Sequence, residues 1–166
     1  MKKIIVTLLF VITGCATVVK TNNKFDPEEF KAKLNAKGVN TIAGSALIRQ
    51  LNGGVVTCAG QRVALIPVTA YSIERFNAIY GNDIRGFNPV GKKFKFEPDY
   101  PEYTKLQKET ICDAQGFFSF TEISDGDYFV VTGIVWQINA YRWDGGGLFE
   151  RVSIKDGKSI KITLAP

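Results

Sequence analysis

Short apolar runs, broken by turn residues at close intervals, predict a mainly β chain. The expected architecture is an antiparallel β-sandwich of about seven strands, with a short N-terminal helix and a helical/irregular insertion. Three observations carry this expectation. The segment Ser159 to Leu164 alternates strictly, with Ile160, Ile162 and Leu164 on one face and Lys161 and Thr163 on the other. From Asp113 to Thr132, two apolar runs are set between turn residues. No long helical patterns alternate with the strands, which excludes a parallel α/β sheet.

The helix comes first. Asp26 suits an N-cap, Pro27 the first helical position and Glu29 the capping box, with Phe25 and Phe30 placed as a hydrophobic staple. Lys31, Lys33 and Lys37 gather toward the C-terminal end favoured by the helix dipole, and Gly38 suits the stop. The helix is therefore expected within 25–38, docked on the body by a narrow apolar stripe. Strand grammar follows from residue 39 to the end: Thr41 to Ile48, a turn at Asn52-Gly53-Gly54, a short piece at Val55 to Cys58, and Arg62 to Val68. Ile73, Phe76 and Tyr80 fall at helical spacing, so one or two helical turns are expected at 71–81.

Residues 82–106 carry scattered glycines, prolines and aromatics and read as an irregular insertion, the kind of long segment that often binds. As an excisable loop, its deletion should leave a folded domain. A strand from Tyr128 toward Trp136 comes next, and Asp144-Gly145-Gly146-Gly147 reads as a mobile hairpin end. Two closing strands flank the hairpin signal Lys155-Asp156-Gly157-Lys158.

The start of the chain is distinct from this body. Lys2 and Lys3 precede an apolar run from Ile4 to Ile12, and Ile12-Thr13-Gly14-Cys15 follows. The run is far shorter than the roughly 20 residues of a membrane span; its parts are those of a secretory signal. With a cysteine directly after Thr-Gly it resembles a bacterial lipoprotein signal. The resemblance implies removal of 1–14, lipid attachment at Cys15, a tether at 15–24 and a place in the cell envelope. Ala16 after the cysteine resembles the sorting signal for the outer membrane.

Export bears on the other two cysteines. Cys58 and Cys112, alone in an oxidising compartment, most simply form a disulfide; two free thiols or a metal site are the alternatives. Such a bridge would contribute on the order of 4 kcal/mol by constraining the unfolded chain. A zinc site would want histidine, and the chain has none.

A second resemblance rests on Asp113, Gly116, Phe118, Phe120, Gly126, Tyr128 and Val130. Their spacing is similar to the signature of carboxypeptidase regulatory-like domains. That resemblance implies a transthyretin-like/Ig-like β-sandwich over 39–166, a non-catalytic companion module rather than a peptidase.

Composition narrows function. Without histidine, Ser-His-Asp and Cys-His nucleophiles and the usual hydrolytic zinc sites are excluded. The acid pairs Glu97/Asp99 and Asp125/Asp127 lie in turn-like sequence that wants acids for backbone reasons. No catalytic, metal or cofactor site is expected. After residue 14 the chain holds 19 basic and 16 acidic side chains, an excess spread too thinly for a nucleic-acid face. Surface recognition is left. Tyr71, Arg75, Tyr80, Arg85, Tyr141 and Trp143 are residue types that anchor contacts, and they form the candidate binding surface. The expected partners are the membrane through the lipid, and another envelope protein or a glycan. A role as an accessory lipoprotein of a type VI-like secretion system is the remaining alternative.

Overall fold

The computed structural model describes residues 16–166. Cys15 and the signal segment 1–14 lie outside the described residues. The chain is mainly β, with two packed sheets and a cap of short helices.

The larger sheet has five strands, ordered β5 (Arg85–Pro89), β10 (Arg142–Ile154), β9 (Gly126–Asn139), β4 (Arg62–Pro67) and β7 (Lys108–Ile111), all antiparallel. In the facing sheet, β2 (Asn40–Arg49) is central. It pairs in parallel with β11 (Ser159–Leu164), and antiparallel with β8 (Phe117–Ile123) and β3 (Val55–Thr57). Between the sheets lies a core that includes Ile42, Val63, Leu65, Phe118, Phe120, Val130, Ile134, Leu148 and Leu164. Cys58 and Cys112 are buried in it and joined as a disulfide, so the bridge is formed.

A second core covers the outer face of the five-stranded sheet. Helices α1 (Pro27–Asn35), α2 (Ala70–Tyr80) and α3 (Glu102–Lys105) bring Phe30, Tyr71, Phe76 and Tyr103 onto Ile66, Phe129 and Phe149. The sheet is thus buried on both faces. This is why Arg62-Val-Ala-Leu-Ile-Pro and Tyr128-Phe-Val-Val read as nearly unbroken apolar runs. Within β9, Tyr128 and Val130 point between the sheets while Phe129 points to the helices, as a period of two requires.

Helix α1 starts as the sequence predicts. The Asp26 carboxylate accepts from the N–H groups of Glu28 and Glu29 at 2.9 and 3.1 Å, and Phe25 meets Phe30 edge to face, centroids 5.3 Å apart. Phe30 is fully buried, so the narrow stripe closes the second core. The alternation of β11 also holds, with Leu164 buried and Lys161 and Thr163 exposed.

Five expectations need correction. The segment expected as a tether pairs over Thr17–Lys20 as β1, parallel to β6 (Phe94–Glu97), and the Glu74 carboxylate then accepts four hydrogen bonds from Asn22 and Asn23. Helix α2 runs eleven residues rather than one or two turns. Thr69 and Ser72 form a reciprocal capping box, and Gly81 ends the helix at a φ of 81°. The 82–106 region is no loose insertion, because β5 is an edge strand on β10, and Phe96 and Tyr103 are buried. The Asp144–Gly147 run is not a hairpin end but part of strand β10; the turn falls at Ala140-Tyr141. The Lys155–Lys158 turn does form, with Asp156 and Gly157 at φ of 62° and 69°, yet it links the two sheets. Ladder pairing is decided by the neighbour a strand finds, and β11 finds β2.

Candidate functional site

Beyond Ile134 the β9–β10 hairpin continues past the inter-sheet core. Trp136 follows Ile134 on the same face and packs, partly buried, against the margin of the inter-sheet core. There the end of β2, the Gln50–Gly54 turn, β5, Pro166 and the hairpin enclose an open cleft of about 700 Å³. Its apolar wall is Trp136, Phe87, Ile48, Leu51 and Ile138; its polar groups are Arg49, Gln50, Asn52, Gln137 and Asp144.

The glycine run builds the aromatic wall. A Cβ placed on Gly145 would lie 2.9 Å from Cζ3 of Trp136, and one on Gly146 would lie 2.7 Å from Cε2 of Phe87. Real Cβ atoms do not approach so closely. Closer still are the carbonyl oxygens of Ile134 and Asn88, so the neighbouring strands exclude a side chain first, and the indole and the phenyl ring then lie against the bare backbone. Gly145 also adopts a φ of 100°, which L-residues rarely reach. Asp144 stands directly across from Trp136 in the ladder, and its carboxylate accepts from the N–H of Gly145 at 2.8 Å. The turn on the other rim is fixed by its own bonds: Gln50 N–H donates to the Gly54 carbonyl at 2.8 Å, and Gly54 N–H donates to the Asn52 side chain at 3.1 Å.

The candidate binding residues of the sequence do not gather in one place. Tyr71 is 1% exposed and lies in the second core, with Tyr100 and Tyr103 edge-on to it. Arg75, whose side chain is 13% exposed, lies over the rings of Phe96 (3.8 Å) and Tyr103 (4.6 Å). It donates to the Tyr71 hydroxyl at 2.9 Å and to Asp99 at 3.1 Å. Tyr80 stacks on Phe76 and lies tilted against Phe149, and burial pushes its phenol up to about 12. These three hold the helices to the sheet. Arg85 is exposed on β5, away from the cleft. Tyr141 and Trp143 are 97% and 54% exposed at the hairpin tip, near the cleft but not in its wall.

Of the cleft residues, Trp136 was legible by extending the β9 alternation from Tyr128. Asn52 and Gln50 gave no signal beyond turn chemistry. The acids of turns are occupied structurally. Asp125 accepts from Asn40 and from the N–H of Asp156, and Asp127 accepts from Arg151 and Ser153. The Ser153 and Arg151 donors hold the Asp127 carboxyl below its ordinary range, against the opposing effect of partial burial. Among the described residues no three histidine, cysteine or acidic side chains gather as a metal site, and no helix is long and apolar enough to cross a membrane.

Fold and cleft together define a β-sandwich with an aromatic-walled recess at one end of its sheets. No family model matches the chain, nor does any curated protein. Among solved structures, it is similar to a crystal structure described as a "putative carbohydrate binding protein" from Pseudomonas aeruginosa. That likeness has a TM-score of 0.66 at 22% identity, covering 85% of this chain and 97% of the other. At that identity the likeness is one of fold.

Proposed function

We propose that the protein is a non-enzymatic, lipid-anchored envelope protein whose sandwich binds a saccharide in the cleft between the hairpin and the Gln50–Gly54 turn. The cleft's composition carries the reading. Pyranose rings present an apolar C–H face that rests on an aromatic plane, and hydroxyls that need planar amide, carboxylate or guanidinium partners. Trp136 and Phe87 offer the planes, and Arg49, Gln50, Asn52, Gln137 and Asp144 the partners, in a volume suited to one or two sugar rings. The similar fold of the Pseudomonas protein supports this reading, and the envelope location rests on the Cys15 signal.

A glycan array followed by calorimetry tests it. At least one glycan class should bind. Trp136→Ala and Asp144→Asn should each weaken that binding about ten- to a hundredfold, the loss of a stacking plane or of a charge-assisted hydrogen bond. Circular dichroism should stay unchanged. An array without hits, or binding indifferent to both substitutions, removes the reading.

A further inference from the structure

We infer that the end of the sandwich bearing the β9–β10 hairpin tip lies on the bilayer surface, with Trp143 and Tyr141 in the headgroup layer of an anionic membrane. The inference rests on the lipid-anchor reading of Cys15 and adds to it an orientation.

The chain between the anchor and the body is short. Strand β1 begins at Thr17, so Ala16 is the one residue between Cys15 and hydrogen-bonded structure. Two residue steps of extended chain cover about 7 Å. The headgroup layer on each side of a bilayer is roughly 5–8 Å thick. An acylated Cys15 therefore leaves Thr17 no room to stand clear of the headgroups, and the part of the body around Thr17 must meet them. Glu74, holding Asn22 and Asn23 through four hydrogen bonds, further prevents the segment from paying out as a linker.

Thr17 enters the body at the end that carries the hairpin. Thr17 N–H donates to the Lys93 carbonyl at 2.8 Å, and Val90 N–H donates to the Gly145 carbonyl at 2.8 Å. The chain thus enters beside the Val90–Lys93 turn, and that turn sits against the outer half of the hairpin. On the turn and the outer half of the hairpin, outside the cleft wall, Val90, Val135, Tyr141 and Trp143 are exposed apolar side chains. Lys92, Lys93 and Arg142 stand exposed among them, and Asp144 is the acidic side chain next to them on the hairpin. Aromatic residues with an apolar body and a polar tip, bordered by cations, suit an anionic interface. At the opposite end, the Asp125–Asp127 and Lys155–Lys158 turns carry mixed charge.

Two measurements on the membrane-extracted protein separate this inference from the reading beneath it. Intact mass reports acylation of Cys15. Tryptophan emission in vesicles of phosphatidylglycerol and phosphatidylethanolamine, free of glycolipid, with and without acyl-chain bromination, reports depth. In the Trp136→Phe protein Trp143 is the single tryptophan, and its emission should be blue-shifted and lost to bromination. The difference between wild type and Trp143→Phe gives the same readout independently. Acylated protein whose Trp143 emission is unshifted and unquenched overturns the orientation alone. An intact mass without acyl groups overturns the anchor, and the orientation falls with it.

Discussion

Arg75 shows how a residue's type can mislead about its use. An arginine among tyrosines is a common contact anchor on a surface. Here the guanidinium is enclosed by the rings of Phe96 and Tyr103 and fixed by Tyr71 and Asp99, so it ties α2 to β6 and α3. Asp127 is likewise spoken for. Its carboxylate receives Ser153 and Arg151, and Arg151 also donates to Asp83 at 2.7 Å, joining β9, β10 and the chain before β5. Because Asp127 titrates lower in the folded state than in the unfolded one, the unfolded chain binds more protons between those two values. Its contribution is complete above the ordinary carboxylate range, about pH 4, and is lost as pH falls through the lowered value. Urea denaturation from pH 6 to pH 2 should show this loss in the wild type. In Asp127→Asn the stability should be lower at pH 6 and the acid slope shallower; an identical slope in both proteins would contradict the assignment.

At the scale of elements, local capping and tertiary pairing decided different things. The α1 start was legible because Asp26, Pro27 and the Phe25/Phe30 staple act within one turn. The start of α2 carried its own signal in Thr69-Ala-Tyr-Ser72, a box closed by serine rather than the usual glutamate or glutamine, and its length was underestimated accordingly. The stretch 82–106 looked irregular because β5 and β6 are short and draw their ladders from β10 and β1, far away in sequence. Deleting it would strip an edge from the large sheet, remove Tyr103 from the second core and take away Phe96, buried beneath Arg75. Removing two buried aromatics costs about 3–5 kcal/mol each, of the order of a whole domain's stability. The deletion protein is expected to be unfolded or aggregated by circular dichroism and protease resistance. A cooperative native-like melt would show that the region is dispensable after all.

The whole molecule is a three-layer object: a facing sheet, a central sheet and a helical cap, stapled once. The Cys58–Cys112 bridge spans 54 residues and joins the end of β3 to the end of β7, so it ties the two sheets together within the inter-sheet core. By loop-closure entropy, a Cys58→Ser/Cys112→Ser protein should lose about 4 kcal/mol of unfolding free energy, read as a lower denaturant midpoint with little change in native circular dichroism. A loss below about 1 kcal/mol would mean that the unfolded chain is already compact enough to make the bridge redundant. The cleft and the hairpin tip belong to this scale too. They exist because β9 and β10 outrun the facing sheet, which leaves Trp136 half-covered and Tyr141 bare.

What the amino-acid order determined by itself is whatever a few neighbouring residues can enforce. That includes the β class through alternation, the cap and staple of α1, the turns at Asp113–Gly116 and Asp156-Gly157, and the cysteine pairing once export is granted. What only the tertiary structure decided is whatever depends on distant partners. Those are the second core that makes Tyr71 and Arg75 interior, the pairing of β11 with β2, the ordering of Thr17–Lys20, and the bare β10 backbone on which Trp136 and Phe87 rest. The reason is range. Dihedral preferences and caps act over about four residues, whereas a sheet neighbour is chosen by burial among segments as far apart as Pro89 and Gly146 or Thr41 and Ser159, and no local pattern records that choice.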